Sequence, residues 1–96
     1  AKDTRTLYGA EAKYLVAQQL YKAGEYAAAE KEILNFIDQS TPHAYWLARS
    51  FVLLSDVYVA MDKKLDARQY LLSLQQNYHA DDDIEQMINE RLEKLK

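Results

Sequence analysis

Two histidines and a run of three aspartates are the candidates for metal binding or acid–base chemistry in this 96-residue chain. His43 and His79 lie in or beside expected turns, and neither has a second histidine three or four residues away, the spacing that pairs ligands on one helix face. Asp81, Asp82 and Asp83 lack the alternating ligands and the glycine of a calcium loop. Because helix capping explains the aspartates better, we expect solvated histidines and no metal site.

The other chemistry-bearing residue types do not form a catalytic pattern. Serines occur at positions 40, 50, 55 and 73 without the context of a nucleophile elbow. Gly9 and Gly24 are the only glycines, too few for a loop that cradles a phosphate. Lys63, Lys64 and Arg68 form a small basic cluster that is typical of a solvated face. We therefore predict no catalytic residue, no cofactor and no enzyme activity.

Composition indicates one helical domain. The chain is 49% hydrophobic and 28% charged, with two glycines and one proline, so few residues interrupt helices. Its net charge of −3 makes nucleic acid an unsuitable partner. No run of about 18 apolar residues is present, and we expect no membrane insertion. The absence of cysteine excludes disulfides and fits either a reducing cytosol or an envelope compartment.

Apolar residues at helical spacing predict five helices. The first two flank Gly24, which suits the left-handed residue that closes a helix, and their short connection requires antiparallel packing. Thr41 is expected to cap the third helix, with Pro42 at its first position. This third helix is apolar almost all round, so we place it at the centre of the fold. The fifth is expected to begin at a capping box formed by Asp82 and Glu85.

The sequence also repeats. Setting Asp62 under Gly24, a shift of 38 residues, pairs side chains of the same size class along both halves of the chain. These pairs include Leu15 with Leu53, Val16 with Leu54, Ala17 with Ser55, Leu20 with Tyr58, Ala29 with Ala67 and Ile33 with Leu71. Such a duplication predicts one helix pair used twice, as in a solenoid whose units stack to bury their apolar faces.

These residues resemble the tetratricopeptide repeat (TPR), whose pattern has a bulky residue, Leu, Gly and Tyr on its first helix and Ala, an aromatic residue and Pro later. The first copy offers Lys13, Val16, Ala17, Leu20, Ala29, Ile33 and Thr41 next to Pro42, and the second offers Phe51, Leu54, Ser55, Tyr58, Ala67, Leu71 and His79. The small residues Ala17, Ala29, Ser55 and Ala67 fit best, because they stand where helices cross closely. The departures are Lys13 at the bulky position, a missing second glycine, and a period longer than the usual 34 residues.

The resemblance implies an all-α, antiparallel helix-pair solenoid, an α-α superhelix of one domain over residues 1–96. Repeat 1 would span about 5–40, repeat 2 about 41–79, and a C-terminal capping helix about 82–95. The stretches YKAGEYAAAEKEI, STPHAYWLARSFVLLSDVY and DDDIEQMINERLEKL are similar to the C-terminal end of long bacterial TPR arrays and to envelope TPR proteins. This similarity favours the periplasm or cell envelope over the cytoplasm. Missing preceding repeats would leave an apolar strip exposed on the first helix, which could join two copies as a homodimer.

TPR proteins hold peptides or protein segments in a concave groove lined by the first helix of each pair. Transferred by register, the partner-binding residues are Glu11, Tyr14, Gln18, Tyr21, Lys22, Arg49, Val52 and Asp56, and the same groove continues to Val59 and Ala60. We therefore expect a non-catalytic protein–protein interaction scaffold that forms the C-terminal segment of a larger bacterial protein. One alternative is a purely structural cap, in which the tyrosines pack on a missing repeat and the partner site lies elsewhere. A remote alternative is a helical accessory domain of an enzyme or metal site. The residue set with which some TPR proteins grip chaperone C-termini is absent.

Overall fold

The computed structural model describes residues 7–38 and 43–95, which form helices and turns without a strand. The five helices are α1 (Leu7–Lys22), α2 (Tyr26–Asp38), α3 (Ala44–Ala60), α4 (Lys64–Asn77) and α5 (Ile84–Lys94). The prediction of an all-α chain with five helices is thus confirmed. The expected cap at Thr41 and Pro42 lies outside the described residues, and α3 begins at Ala44 with His43 before it.

The turns that join α1 to α2 and α3 to α4 have the same backbone hydrogen bonds. In the first turn, the Glu25 amide donates to the Leu20 carbonyl oxygen at 2.9 Å, and the Gly24 amide donates to that of Tyr21 at 3.1 Å. In the second turn, the Lys63 amide donates to the Tyr58 carbonyl oxygen at 2.7 Å, and the Asp62 amide donates to that of Val59 at 3.0 Å. This nested pair of bonds is the Schellman motif, which needs a left-handed residue. Gly24 has φ 81°, as expected, and Asp62 has φ 62° although it is not glycine. Aspartate tolerates this conformation better than most residues.

Helix α3 lies at the centre, since it contacts each of the other four helices. One of its faces joins a buried cluster with α1, α2 and the start of α4, formed by Tyr14, Ala17, Ala29, Ile33, Leu53, Leu54, Val57, Tyr58 and Ala67. Another face joins a cluster with α4 and α5, formed by Ala48, Val52, Leu71, Leu74, Ile84 and Ile88. Burial on two sides explains why the sequence of α3 is apolar almost all round.

Small residues are buried within both helix pairs. Ala17 and Ala29 lie in the pair α1–α2, and Ser55 and Ala67 in the pair α3–α4. The Ser55 hydroxyl donates a hydrogen bond of 2.6 Å to the carbonyl oxygen of Val52, so its polar group is satisfied inside the core. Buried positions in a close-packed core have little room for larger side chains.

The start of α5 differs from the expected capping box. The helix begins at Ile84, so Glu85 stands at its second position rather than at the third position that a box requires. Asp82 nevertheless caps the helix, because its Oδ1 accepts a 3.0 Å hydrogen bond from the Ile84 amide. Its Oδ2 accepts a second bond from the Tyr78 hydroxyl. Asp82 therefore ties the end of α4 to the start of α5.

Candidate partner-binding face

A cleft of about 570 Å³ lies between the C-terminal ends of α1, α3 and α5 and the start of α4. Its lining includes Tyr21 from α1, Asp56, Val59 and Ala60 from α3, Lys64 from α4, and Glu90, Arg91, Lys94 and Leu95 from α5. Four helices thus contribute apolar and charged groups to one opening. We call it the α1–α3–α5 cleft.

An ion pair between α3 and α5 lies in this cleft. Arg91 donates two hydrogen bonds to Asp56, from Nε to Oδ1 at 2.8 Å and from Nη2 to Oδ2 at 3.0 Å. Both side chains are about one quarter exposed. Burial lowers the pKa of Arg91, but the hydrogen bonds to Asp56 and its negative charge raise this pKa by more, so the net shift is upward. The pair leaves the Asp56 carboxylate already occupied within the chain.

The charge of the cleft differs in sign from that of the whole chain. Its lining contains three cationic groups, Lys64, Arg91 and Lys94, and two anionic groups, Asp56 and Glu90, whereas the chain has a net charge of −3. With three positive and two negative side chains, the cleft lining has a formal charge of +1. A ligand segment with some acidic character is therefore better suited to the cleft than a basic one.

A second feature is a guanidinium group surrounded by aromatic rings. The Arg49 Cζ lies 4.9, 5.7 and 5.9 Å from the ring centres of Tyr14, Trp46 and Tyr45. Its Nη1 is 3.5 Å from the Tyr45 hydroxyl, and its buried Nε has no hydrogen-bond partner among the described residues. Burial lowers the pKa of Arg49, but the two tyrosines raise it by more. Arg49 is thus held in place by cation–π contacts.

The structure buries two of the residues that the register placed on the partner-binding face, Tyr14 and Val52. Val52 is buried because α5 packs over it together with Ile84 and Ile88. Tyr14 is buried because its ring packs 5.5 Å from that of Trp46 and lies under Arg49. Neither side chain offers a contact surface, and Tyr14 packs against α3 rather than towards a preceding repeat.

The other predicted residues are at least partly exposed. Tyr21 lines the cleft and packs 5.8 Å from the Tyr26 ring. Burial and the charge of Asp56 raise the pKa of its hydroxyl. Lys22 is exposed, and Glu11 and Gln18 are half-buried. Of the eight predicted partner-binding residues, the cleft brings together Tyr21 and Asp56, and it also includes the predicted groove positions Val59 and Ala60.

Sequence reasoning missed the contribution of α5 to this face. A second shift by 38 residues would have identified part of it, because it carries Tyr14 through Val52 to Glu90, and Gln18 through Asp56 to Lys94. Glu90 and Lys94 both line the cleft. The charged pattern of α5 by itself is typical of the solvated side of a capping helix, so it does not indicate a cleft.

Within residues 7–38 and 43–95, no group of three acidic or histidine side chains is arranged to hold a metal ion. His79 is exposed, and its Nε2 lies 3.0 Å from the Gln76 carbonyl oxygen. None of the described helices combines the length and apolar character needed to span a bilayer. No family model, curated protein or solved structure matches the chain.

Proposed function

We propose that this chain is a non-catalytic protein–protein interaction scaffold whose five helices form two TPR-like repeats and a capping helix. On the resemblance described above, it forms the C-terminal segment of a longer bacterial TPR array. The Schellman turns 38 residues apart support the repeat, since the same backbone hydrogen bonds recur at Gly24 and Asp62. The small buried residues in each helix pair support it further.

The α1–α3–α5 cleft is the observation that carries the binding function. It is a concave site, of about 570 Å³, within the size range of ligand sites, and it offers apolar groups beside charges. Tyr21 supplies amphipathic contact area, Val59 and Leu95 supply apolar contact, and Lys64 and Lys94 attract acidic groups. We infer that an extended, partly acidic segment of a partner protein binds there.

A peptide selection tests this function. Dodecapeptides displayed from a random library would be selected on the chain, and the affinity of the best binder measured by fluorescence anisotropy. Lys94 and Lys31 are both exposed, but only Lys94 lines the cleft. We expect Lys94→Glu and Tyr21→Ala each to weaken binding about tenfold, ~1.4 kcal/mol, without loss of helicity. Lys31→Glu makes the same charge change elsewhere and should leave the affinity unchanged. Equal affinities for all variants would overturn the proposal.

A purely structural role is the second candidate, and the burial of α5 favours it. Ile84 and Ile88 are buried, and they cover Val52 on α3. In this role α5 shields the apolar end of the helix stack, and partners bind elsewhere. The same selection separates the two roles, because a structural cap would yield no peptide whose binding depends on Tyr21 or Lys94.

A further inference from the structure

Arg49 is a partly buried cation that has no carboxylate partner among the described residues. Arg91, by contrast, donates two hydrogen bonds to Asp56. The hydrogen bond from Arg49 to the Tyr45 hydroxyl is long, at 3.5 Å from Nη1, and the buried Nε of Arg49 has no partner within the described part of the chain. Because charged groups that leave water are normally paired, the guanidinium of Arg49 is suited to an acceptor from outside the chain.

The aromatic rings hold this guanidinium without using its hydrogen bonds. They lie 4.9, 5.7 and 5.9 Å from the Arg49 Cζ, in Tyr14, Trp46 and Tyr45 respectively. A ring face attracts a cation, but it takes none of the in-plane hydrogen bonds that the N–H groups of a guanidinium make to oxygen. Arg49 is therefore fixed in position while its terminal nitrogens keep donors for a ligand.

Gln18 of α1 supplies a second donor beside Arg49. Its side chain is half-buried, and its Nε2 donates a hydrogen bond of 3.5 Å to the Tyr14 hydroxyl. Burial lowers the pKa of Arg49, but Tyr14 and Tyr45 raise it by more, so the Tyr14 side chain interacts with the guanidinium as well. Since an amide nitrogen has two N–H groups, Gln18 has a further donor beyond the one that Tyr14 accepts.

We propose that Gln18 and Arg49 form a binding site for a single carboxylate group where α1 meets α3. The terminal nitrogens of Arg49 donate to the carboxylate in the plane of the guanidinium, and the Gln18 amide donates to it from α1. Tyr14 is a positioning residue that contacts both donors. Neither Gln18 nor Arg49 lines the α1–α3–α5 cleft, so the site does not depend on the function proposed for that cleft.

The charge of Asp83 favours a carboxylate over a phosphate group. The Tyr45 hydroxyl donates a hydrogen bond of 2.9 Å to Asp83 and accepts the long one from Arg49. A negative charge therefore lies one hydroxyl group away from the guanidinium. It repels a doubly charged anion more than a singly charged one. A phosphate group carries close to two negative charges near neutral pH, and a carboxylate carries one.

Trp46 allows the site to be tested without a label. It is the only tryptophan, and its ring lies beside Arg49. Sodium acetate would be titrated at pH 7 against sodium chloride, at constant ionic strength, while the fluorescence is recorded. We expect a saturable change with a midpoint on the order of 10 mM. A change that stays linear in acetate, or no change, would overturn the proposal.

Two further probes identify the source and class of the ligand. A Gly-Glu-Gly peptide blocked at both ends carries only a side-chain carboxylate, whereas acetate is a small free acid. Saturation by both probes would support an acidic side chain of a protein as the ligand, and saturation by acetate alone would support a small free acid. Inorganic phosphate should bind more weakly than acetate. Tighter binding of phosphate would overturn the assignment to a carboxylate.

Matched variants assign the binding to the two donors. Arg49→Gln should abolish the saturable change, whereas Arg68→Gln, which makes the same charge change at an exposed position of α4, should leave it intact. Gln18→Ala leaves the rings in place and should raise the midpoint by at least about threefold. Circular dichroism checks that each variant is folded. If Arg49→Gln lost its helicity, Gln18→Ala would decide alone, and an unchanged midpoint there would overturn the proposal.

Discussion

Asp56 on α3 and Arg91 on α5 are joined by two parallel hydrogen bonds of 2.8 and 3.0 Å. A guanidinium that makes both bonds to one carboxylate is fixed in orientation as well as position. The pair therefore sets how the C-terminal part of α5 lies on the central helix, and with it the shape of the α1–α3–α5 cleft.

Loss of this pair should destabilise the fold more than loss of the ion pair between Lys13 and Glu32. We expect Arg91→Met to cost about 1–2 kcal/mol, because the partly buried Asp56 keeps its charge without a partner. Lys13 and Glu32 are similarly exposed, but only one contact, of 3.1 Å, joins them. Lys13→Met should therefore cost about 0.5 kcal/mol. Urea unfolding followed by circular dichroism measures both losses, and equal losses would contradict this ranking.

The two left-handed turn residues should respond oppositely to exchange. Gly24→Ala should cost about 1 kcal/mol from backbone strain, since no atom lies within 4 Å of the added Cβ and a clash is excluded. Asp62→Gly should stabilise the fold by about 0.5 kcal/mol because it relieves the strain at φ 62°. Thermal unfolding gives both values. Ala28→Gly, within α2, serves as the control and should destabilise the fold. If Ala28→Gly stabilised the fold instead, the effect of Asp62→Gly could not be assigned to relief of backbone strain.

The small buried residues should not tolerate enlargement. Ala29→Leu should destabilise by about 1–3 kcal/mol, because Ala29 is fully buried between helices and the added side chain has no space. Ala28 is its exposed neighbour on α2, and Ala28→Leu should change the free energy of unfolding by less than about 0.5 kcal/mol. If urea unfolding gave the same small change for both, the close crossing of α1 and α2 would be refuted.

Stability should fall at high pH through Tyr78. Burial and the hydrogen bond to Asp82 raise the pKa of Tyr78 from 10.0 to about 12. The folded chain keeps this proton at pH values where the unfolded chain has lost it, so the stabilisation is complete below pH 10 and is lost as pH rises towards 12. The stability difference between wild type and Tyr78→Phe should therefore be constant from about pH 7 to 9 and shrink by about pH 11.5. A constant difference over the whole range would contradict the prediction.

Features that depend on neighbouring residues in the chain were predictable from the sequence. The positive φ of Gly24 follows from the short gap between two helical patterns, and the burial of Ala29 and Ala67 follows from their conserved size across the shift. The left-handed Asp62 was predictable only from the register, since its own side chain does not require that conformation.

Features that depend on distant parts of the chain were not predictable in the same way. The burial of Val52 requires knowing that α5 packs over α3, and the burial of Tyr14 requires knowing that Arg49 stacks on it. A concave-face pattern taken from two helices cannot show that a third one covers part of the surface. The cleft therefore lies nearer the C-terminal ends of these helices than the register alone indicated.

The aromatic rings around Arg49 include a tryptophan whose fluorescence reports on the contact between α1 and α3. Trp46, the only tryptophan, belongs to α3 and lies 5.5 Å from the Tyr14 ring of α1. Because indole emission responds to its immediate surroundings, separation of α1 from α3 would change the fluorescence of this one side chain without any label. Fluorescence can therefore detect the separation of the two helix pairs, while circular dichroism follows the unfolding of the helices themselves. Comparing the two signals distinguishes these events.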